Sequence, residues 1–211
     1  MDNTDQRTAQ TRTRILKAAA EVFAASGTVG ATTREIARVA GVNEVTLFRH
    51  FQNKEQLLGA VVQQVTALQI EALTRQDEWT GNLQVDLLHY AWLYNNMLEK
   101  HEALVRMFIG EAQRHPEAAL QILREAALPL REKLIEYLSK GIEQGKVRKD
   151  VDLLLVIDLF TGMLLSGMLR RTTVSIPLSY SRENYIERCV DVIVRDISTS
   201  STKTSHSSQP L

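Results

Sequence analysis

Proline occurs at only four places in this chain of 211 residues, positions 116, 129, 177 and 210, so the first 115 residues hold none of the residues that must break a helix. With only ten glycines as well, the chain has too few turn formers for a many-stranded β fold and reads as all-α. A 44% hydrophobic share fills a real core, and collagen-like, disulfide-framework and wholly disordered readings are excluded. The single cysteine, Cys189, cannot form an intrachain disulfide, and the opening MDNTDQRTAQTRTR lacks the apolar stretch of a secretory signal; both point to the cytoplasm. Residues 151–169 are apolar over about the length of a bilayer span. They carry Asp152 and Asp158, each costing roughly 2.5–3.5 kcal/mol near a bilayer centre, so a buried helix of a soluble protein is expected and no membrane partner.

Periodicity predicts about nine helices. Ile15, Ala19, Val22 and Phe23 form one stripe over residues 13–25, with Gly27 as its stop. Thr32 and Glu35 have capping-box spacing at the start of a second helix, which is short because Gly41 follows Ala40. Asn43 caps a third, running to about Phe51, and a long amphipathic stretch covers 54–75. Residues 83–98 are apolar on nearly every face, which predicts a central helix surrounded by others. A helix over 103–114 stops before Pro116; one over 117–145 is expected to kink at Pro129; the last two are expected over 151–170 and 181–197. From 198 onward the chain is Ser/Thr-rich and too polar to fold, so 198–211 reads as a disordered tail.

Net charge is zero, which argues against a generic polyanion binder, yet its distribution is uneven. Residues 7–54 hold eight basic and three acidic side chains, leaving the remainder with five more acids than bases. A small DNA-binding head has this pattern, and so does an ordinary solvated surface. The motif is more telling. In TTREIARVAGVNEVTLFRHFQNKEQLL, residues 32–58, two short helices must cross steeply, and Gly41 tolerates the positive φ their turn needs. Ala37 and Ala40 allow close approach, while Ile36, Val42, Leu47 and Phe51 supply apolar contacts. That leaves Glu44, Val45, Thr46, Arg49 and His50 exposed on the third helix, able to touch base edges or phosphates.

This stretch resembles the N-terminal domain of the TetR (tetracycline repressor) family of bacterial transcriptional regulators. The resemblance is carried by Thr32-Thr33-Arg34-Glu35-Ile36-Ala37, Ala40-Gly41-Val42, Thr46-Leu47-Phe48, Phe51, Lys54-Glu55 and Leu57-Leu58, roughly the first quarter of the chain. It implies a helix-turn-helix DNA-binding domain over 1–53 and a helical ligand-binding and dimerisation domain over 54–197. It further implies that Thr33 caps the second helix and meets a phosphate, and that Arg34 reaches a base edge or the backbone. Glu44, Val45, Thr46 and Arg49 would face the major groove, and His50 and Lys54 would hold the backbone. Phe48 stands where the family usually has tyrosine, so that hydroxyl's phosphate bond is missing and the ring is left to pack against sugar. Glu44 would accept from a cytosine amine but also repel phosphate. For Arg38 a solvated surface role is preferred.

The resemblance also implies a switch: a palindromic double-stranded operator bound by a homodimer and released by a small-molecule effector, without a cofactor. Leu155, Leu159, Gly162, Met163 and Ser166, with Ile186, Val190 and Ile193, are the expected dimer face, though a monomer core would read alike. His89, Tyr90, Tyr94, Met97, Met107, Phe108, Glu111 and Phe160 are candidate pocket residues, and equally the ingredients of a core. Enzyme readings fail: His101-Glu102 begins HExxH but Val105 ends it, no glycine segment ends in the Lys-Ser/Thr of a P-loop, and no metal cluster is evident. The alternative is a small-molecule binding protein with degenerate operator recognition, hinted at by Phe48 and Glu44.

Overall fold

Each short helix at the amino end starts on a side chain able to replace a missing helical acceptor, and the computed structural model shows those caps made. The structure describes residues 3–74, 79–112, 127–173 and 179–199, and positions 116, 120 and 124. Among them are nine helices and no strand: α1 Asn3–Gly30, α2 Thr33–Ala40, α3 Glu44–His50, α4 Lys54–Thr74, α5 Leu83–Lys100, α6 Glu102–Glu111, α7 Leu128–Glu143, α8 Leu153–Thr173 and α9 Arg182–Ile197. Helix α1 begins well before the expected residue 13, and Gly27 interrupts it at φ +72°.

The described residues fall into two compact units, one of residues up to 74 and 96–131, the other of 75–95 and 132 onward. In the first, Ile15, Ala19 and Phe23 of α1 pack with Ile36, Ala37 and Ala40 of α2, Leu47 of α3, and Leu57, Leu58 and Val61 of α4. Leu104 of α6 completes this core, with Met107 and Phe108 packed against it. Burying the eight larger of these side chains, at roughly 1.5–3 kcal/mol each, is what holds α2 and α3, since helices of eight and seven residues are alone far below the length stable in water.

In the second unit α8 buries Val156, Ile157, Phe160, Leu164 and Met168, and α9 buries Ile186, Cys189, Val190, Ile193 and Ile197. Helix α8 is long and apolar enough to cross a membrane by length and composition, but its burial is one-sided, not complete as expected, with Leu155 and Leu159 left 55% and 54% exposed. Helix α5 also departs from expectation: it is not sheathed all round, since Val85, His89 and Asn96 form an exposed stripe at helical spacing. Pro129 lies in the first turn of α7, and positions 124 and 127 just before it are π-helical; most of 117–126, the part of the expected 117–145 helix that leads into the proline, lies outside the described residues. Ser198 and Thr199, expected in the tail, are bonded to the 145–147 turn: Val147 and Ser198 form an antiparallel bridge, and the Thr199 amide donates to the Lys146 carbonyl at 3.1 Å. Residues 200–211 lie outside the described residues.

Candidate functional site

The helix-turn-helix is fixed by local chemistry at every corner. The cap of α2 is Thr32, whose Oγ1 accepts the Glu35 amide at 3.1 Å; this corrects the expectation that Thr33 caps it. Gly41 ends α2 at φ +64°, the left-handed conformation its lack of a Cβ permits. Asn43 Oδ1 accepts the Thr46 amide at 2.7 Å to start α3, and Asn53 Oδ1 accepts the Gln56 amide at 2.8 Å to start α4. One long-range tie locks the turn: the Arg14 guanidinium donates to the Ala40 and Gly41 carbonyls at 2.6 and 3.0 Å, satisfying acceptors that the end of α2 leaves open. Arg14, Asn53 and Gln56 escaped sequence reasoning, although Asn-x-x-Gln before an apolar run is itself a capping signal.

With Leu47 buried, α3 turns its other side outward. Val45 is 79% exposed and Phe48 45%, Arg49 and Arg34 are exposed, and Thr46 and Lys54 are partly so. Thr33 and Glu44 meet directly: Thr33 Oγ1 donates to Glu44 Oε1 at 2.8 Å. His50, expected to hold the DNA backbone, is partly exposed, and its Nε2 is enclosed with no hydrogen-bond partner among the described residues. Burial first, then the charges of Arg49 and Arg12, hold its pKa below the usual histidine range. Several bases counted in the positive head also serve within it: Arg12 lies 5.0 Å from the Phe51 ring centroid, and Arg38 pairs with Glu35 at 2.7 Å, as its expected surface role allows.

Of the candidate pocket residues, Tyr90, Tyr94 and Phe160 come together in the second unit, with ring centroids 5.7 Å apart for Tyr90–Tyr94 and 5.9 Å for Tyr90–Phe160. The Tyr90 hydroxyl is buried with no hydrogen-bond partner among the described residues, and burial raises its pKa well above the ordinary tyrosine value. Burial pushes Tyr94 up to about 12. His89 is corrected to the exposed face of α5. Met97 is buried and belongs to the first unit, Met107 and Phe108 pack against the head's core, and the Glu111 side chain lies outside the described residues.

The expected dimer face divides. Leu155, Leu159, Gly162 and Ser166 lie exposed along α8, with open space around Gly162, and Met163 is partly covered. Ile186, Val190 and Ile193 are at most 4% exposed in the single chain, so their stripe is core and beyond a partner's reach; this corrects their assignment. Gly167 differs from Gly162, since a Cβ there would collide with the Tyr185 ring of α9, whose hydroxyl donates to the Met163 carbonyl at 2.9 Å.

A family model described as "Bacterial regulatory proteins, tetR family" matches residues 15–61, and one described as "Tetracyclin repressor-like, C-terminal domain" matches residues 77–193. The HTH-type transcriptional regulator UidR of Escherichia coli K12 is 28% identical over 78% of this chain and 85% of its own length. The HTH-type transcriptional repressor KstR2 of Mycobacterium tuberculosis is 27% identical over 74% and 78%. Among solved structures, a TetR-family regulator from Mesorhizobium loti superposes with a TM-score of 0.71 at 23% identity, covering 91% of this chain and 98% of that one, a likeness of fold. With more than half its length matched by the C-terminal model and its reading head by the N-terminal one, this chain belongs to the TetR family of helix-turn-helix transcriptional regulators.

Proposed function

We propose that the protein is a cytoplasmic repressor that binds a palindromic operator as a homodimer and is released by a small molecule. The carrying observation is the outward side of α3, where Val45, Phe48 and Arg49 stand exposed on a helix whose caps and buried side leave it one orientation. In this reading Val45 meets a thymine methyl, Thr46 and Arg49 contact base edges, Phe48 packs on sugar, and Arg34 and Lys54 hold phosphates. Pairing comes from Leu155, Leu159, Gly162 and Ser166 of α8, an apolar exposed stripe that a second copy would cover by a two-fold operation. The effector site is built around Tyr90, whose buried hydroxyl has no acceptor among the described residues and would meet one in a ligand oxygen. Residues 54–197 are read as the ligand-binding and dimerisation domain.

Selection of bound duplexes from a random pool tests recognition and symmetry together. The expected outcome is a palindrome with half-sites about 34–36 Å apart or a multiple of that spacing. No preference among random duplexes at moderate salt, with and without effector candidates, overturns the reading in favour of a binding protein without an operator.

A further inference from the structure

The contact between Thr33 and Glu44 joins the first residues of α2 and α3, and it has consequences for sequence choice. A threonine hydroxyl has one hydrogen to donate, and here Glu44 holds it at 2.8 Å. A phosphate oxygen only accepts, so Thr33 cannot donate to DNA while Glu44 keeps that hydrogen. The carboxylate is half-exposed, stands beside the highly exposed Val45, and has no salt-bridge partner among the described residues. Glu35, by contrast, is tied to Arg38. A free carboxylate on this face repels phosphates, and of the groups on the major-groove floor it is attracted only to the amines of cytosine and adenine.

We propose that Glu44 is a specificity-determining clasp: it holds Thr33 off the phosphate on arbitrary DNA, and lets go of it where the whole carboxylate swings away from the start of α2 to the groove floor to accept from a base amine. Thr33 then donates to the backbone only on the cognate site, so one phosphate contact becomes conditional on one base pair. The inference rests on the DNA-reading role of α3.

The test uses the full chain, with fluorescence anisotropy on the selected operator and on a random duplex of equal length. Glu44→Ala is expected to bind the random duplex roughly threefold tighter, the effect of removing one exposed like charge. It should also lose about tenfold of discrimination at a single C·G or A·T position per half-site. Thr33→Val is expected to weaken the operator complex while leaving the random one unchanged, and, once Glu44 is alanine, to weaken both. Glu44→Gln, which keeps an acceptor for Thr33 without the charge, should recover the tighter random binding while Thr33→Val stays silent there. Random-duplex affinity unchanged or lowered in Glu44→Ala overturns the clasp, as does a Thr33→Val loss that is equal on both duplexes in the parent chain. If the parent chain itself does not distinguish the two duplexes, the DNA reading fails and the clasp with it, and that outcome is separate from both others.

Discussion

The two units are held together in different ways. In the head, the caps join neighbours three residues apart: Thr32 to Glu35, Asn43 to Thr46 and Asn53 to Gln56. The second unit has such caps too, as at Ser181 and Asp152, but adds polar ties that span the chain: Tyr137 donates to Asp86 at 2.7 Å across 51 residues, Arg171 to Asn95 at 2.8 Å across 76, and Gln84 to Asp191 at 2.8 Å across 107. Local stops make a small module whose surface helix is fixed in direction. Distant pairs make a bundle whose helices hold one another, and there a residue's place depends on partners far along the chain.

The largest effect expected concerns a residue whose role that difference reassigns. Ile193 is fully packed in the single chain, so Ile193→Ala should cost about 2–5 kcal/mol. The loss should appear in urea unfolding at every protein concentration. Leu159→Ala, on the exposed face of α8, should leave the monomer within about 0.5 kcal/mol and act only where two copies associate. A midpoint for Ile193→Ala that approaches the parent's on dilution would return Ile193 to an interface.

Next in size is the Asp86 knot. This carboxylate is 3% exposed and accepts from the Thr80 amide at 2.9 Å, the Thr80 hydroxyl at 2.8 Å, the Gly81 amide at 2.9 Å and the Tyr137 hydroxyl at 2.7 Å. Trp79 stacks on Tyr137 at 4.0 Å between centroids. Burial, then the bond to Asp86, drives the Tyr137 pKa far above its ordinary value. Asp86→Asn removes the charge on which these bonds converge and should cost about 1.5–3 kcal/mol, with a fall in near-ultraviolet signal from Trp79. A loss below about 0.5 kcal/mol would mean that the second unit does not depend on its long-range polar ties.

The head was legible because its signals are short. Thr32 with Glu35, Gly41 and Asn43 mark helix ends within a few residues, and the structure makes each of them. What sequence could not supply was the partner that an apolar stripe meets. The stripe Ile186, Val190, Ile193 has the same periodicity whether it faces its own bundle or a second copy, and here it faces inward. His89 sits among aromatic residues in sequence, yet the 3.6-residue repeat places it with Val85 on the outside. Gly162 and Gly167 look equivalent, but only Gly167 is filled, by Tyr185. Arg14 shows the same limit in the head, since nothing local announces a reach of 26 residues to the Ala40 carbonyl.

Two glycines sharpen the contrast at smaller scale. Gly41 in the head and Gly145 in the second unit have similar conformations, φ +64° and +69°, so alanine carries the same backbone penalty of about 1–2 kcal/mol at each. The surroundings differ: a Cβ on Gly41 would lie 3.0 Å from Arg14 Nη2, whereas nothing lies within 4 Å of one on Gly145. Gly41→Ala is therefore expected to be the more damaging, because it also strains the tie between α1 and the turn. Equal losses on thermal unfolding would show that the Arg14 contact gives way freely.

The smallest effect is a pH dependence confined to the first unit. His50 and His101 both have pKa values below the ordinary histidine value, His50 through burial and then the Arg49 and Arg12 charges, His101 through burial and then Lys100. Above about pH 6.5 both are neutral in folded and unfolded chains and favour neither state. As pH falls below that value the unfolded chain takes up protons that the folded chain resists, so stability declines toward the lowered folded pKa values. The lowered carboxylates Glu35, Glu136 and Glu183 act in the same direction only as the pH falls through about 4.5 and below, outside this window. Urea midpoints at pH 7.5 and 5.5 should therefore differ in the parent chain. His50→Gln should narrow that difference by removing one of the two resisted protonations, and a difference as large as the parent's would mean that the enclosed Nε2 of His50 accepts its proton without penalty.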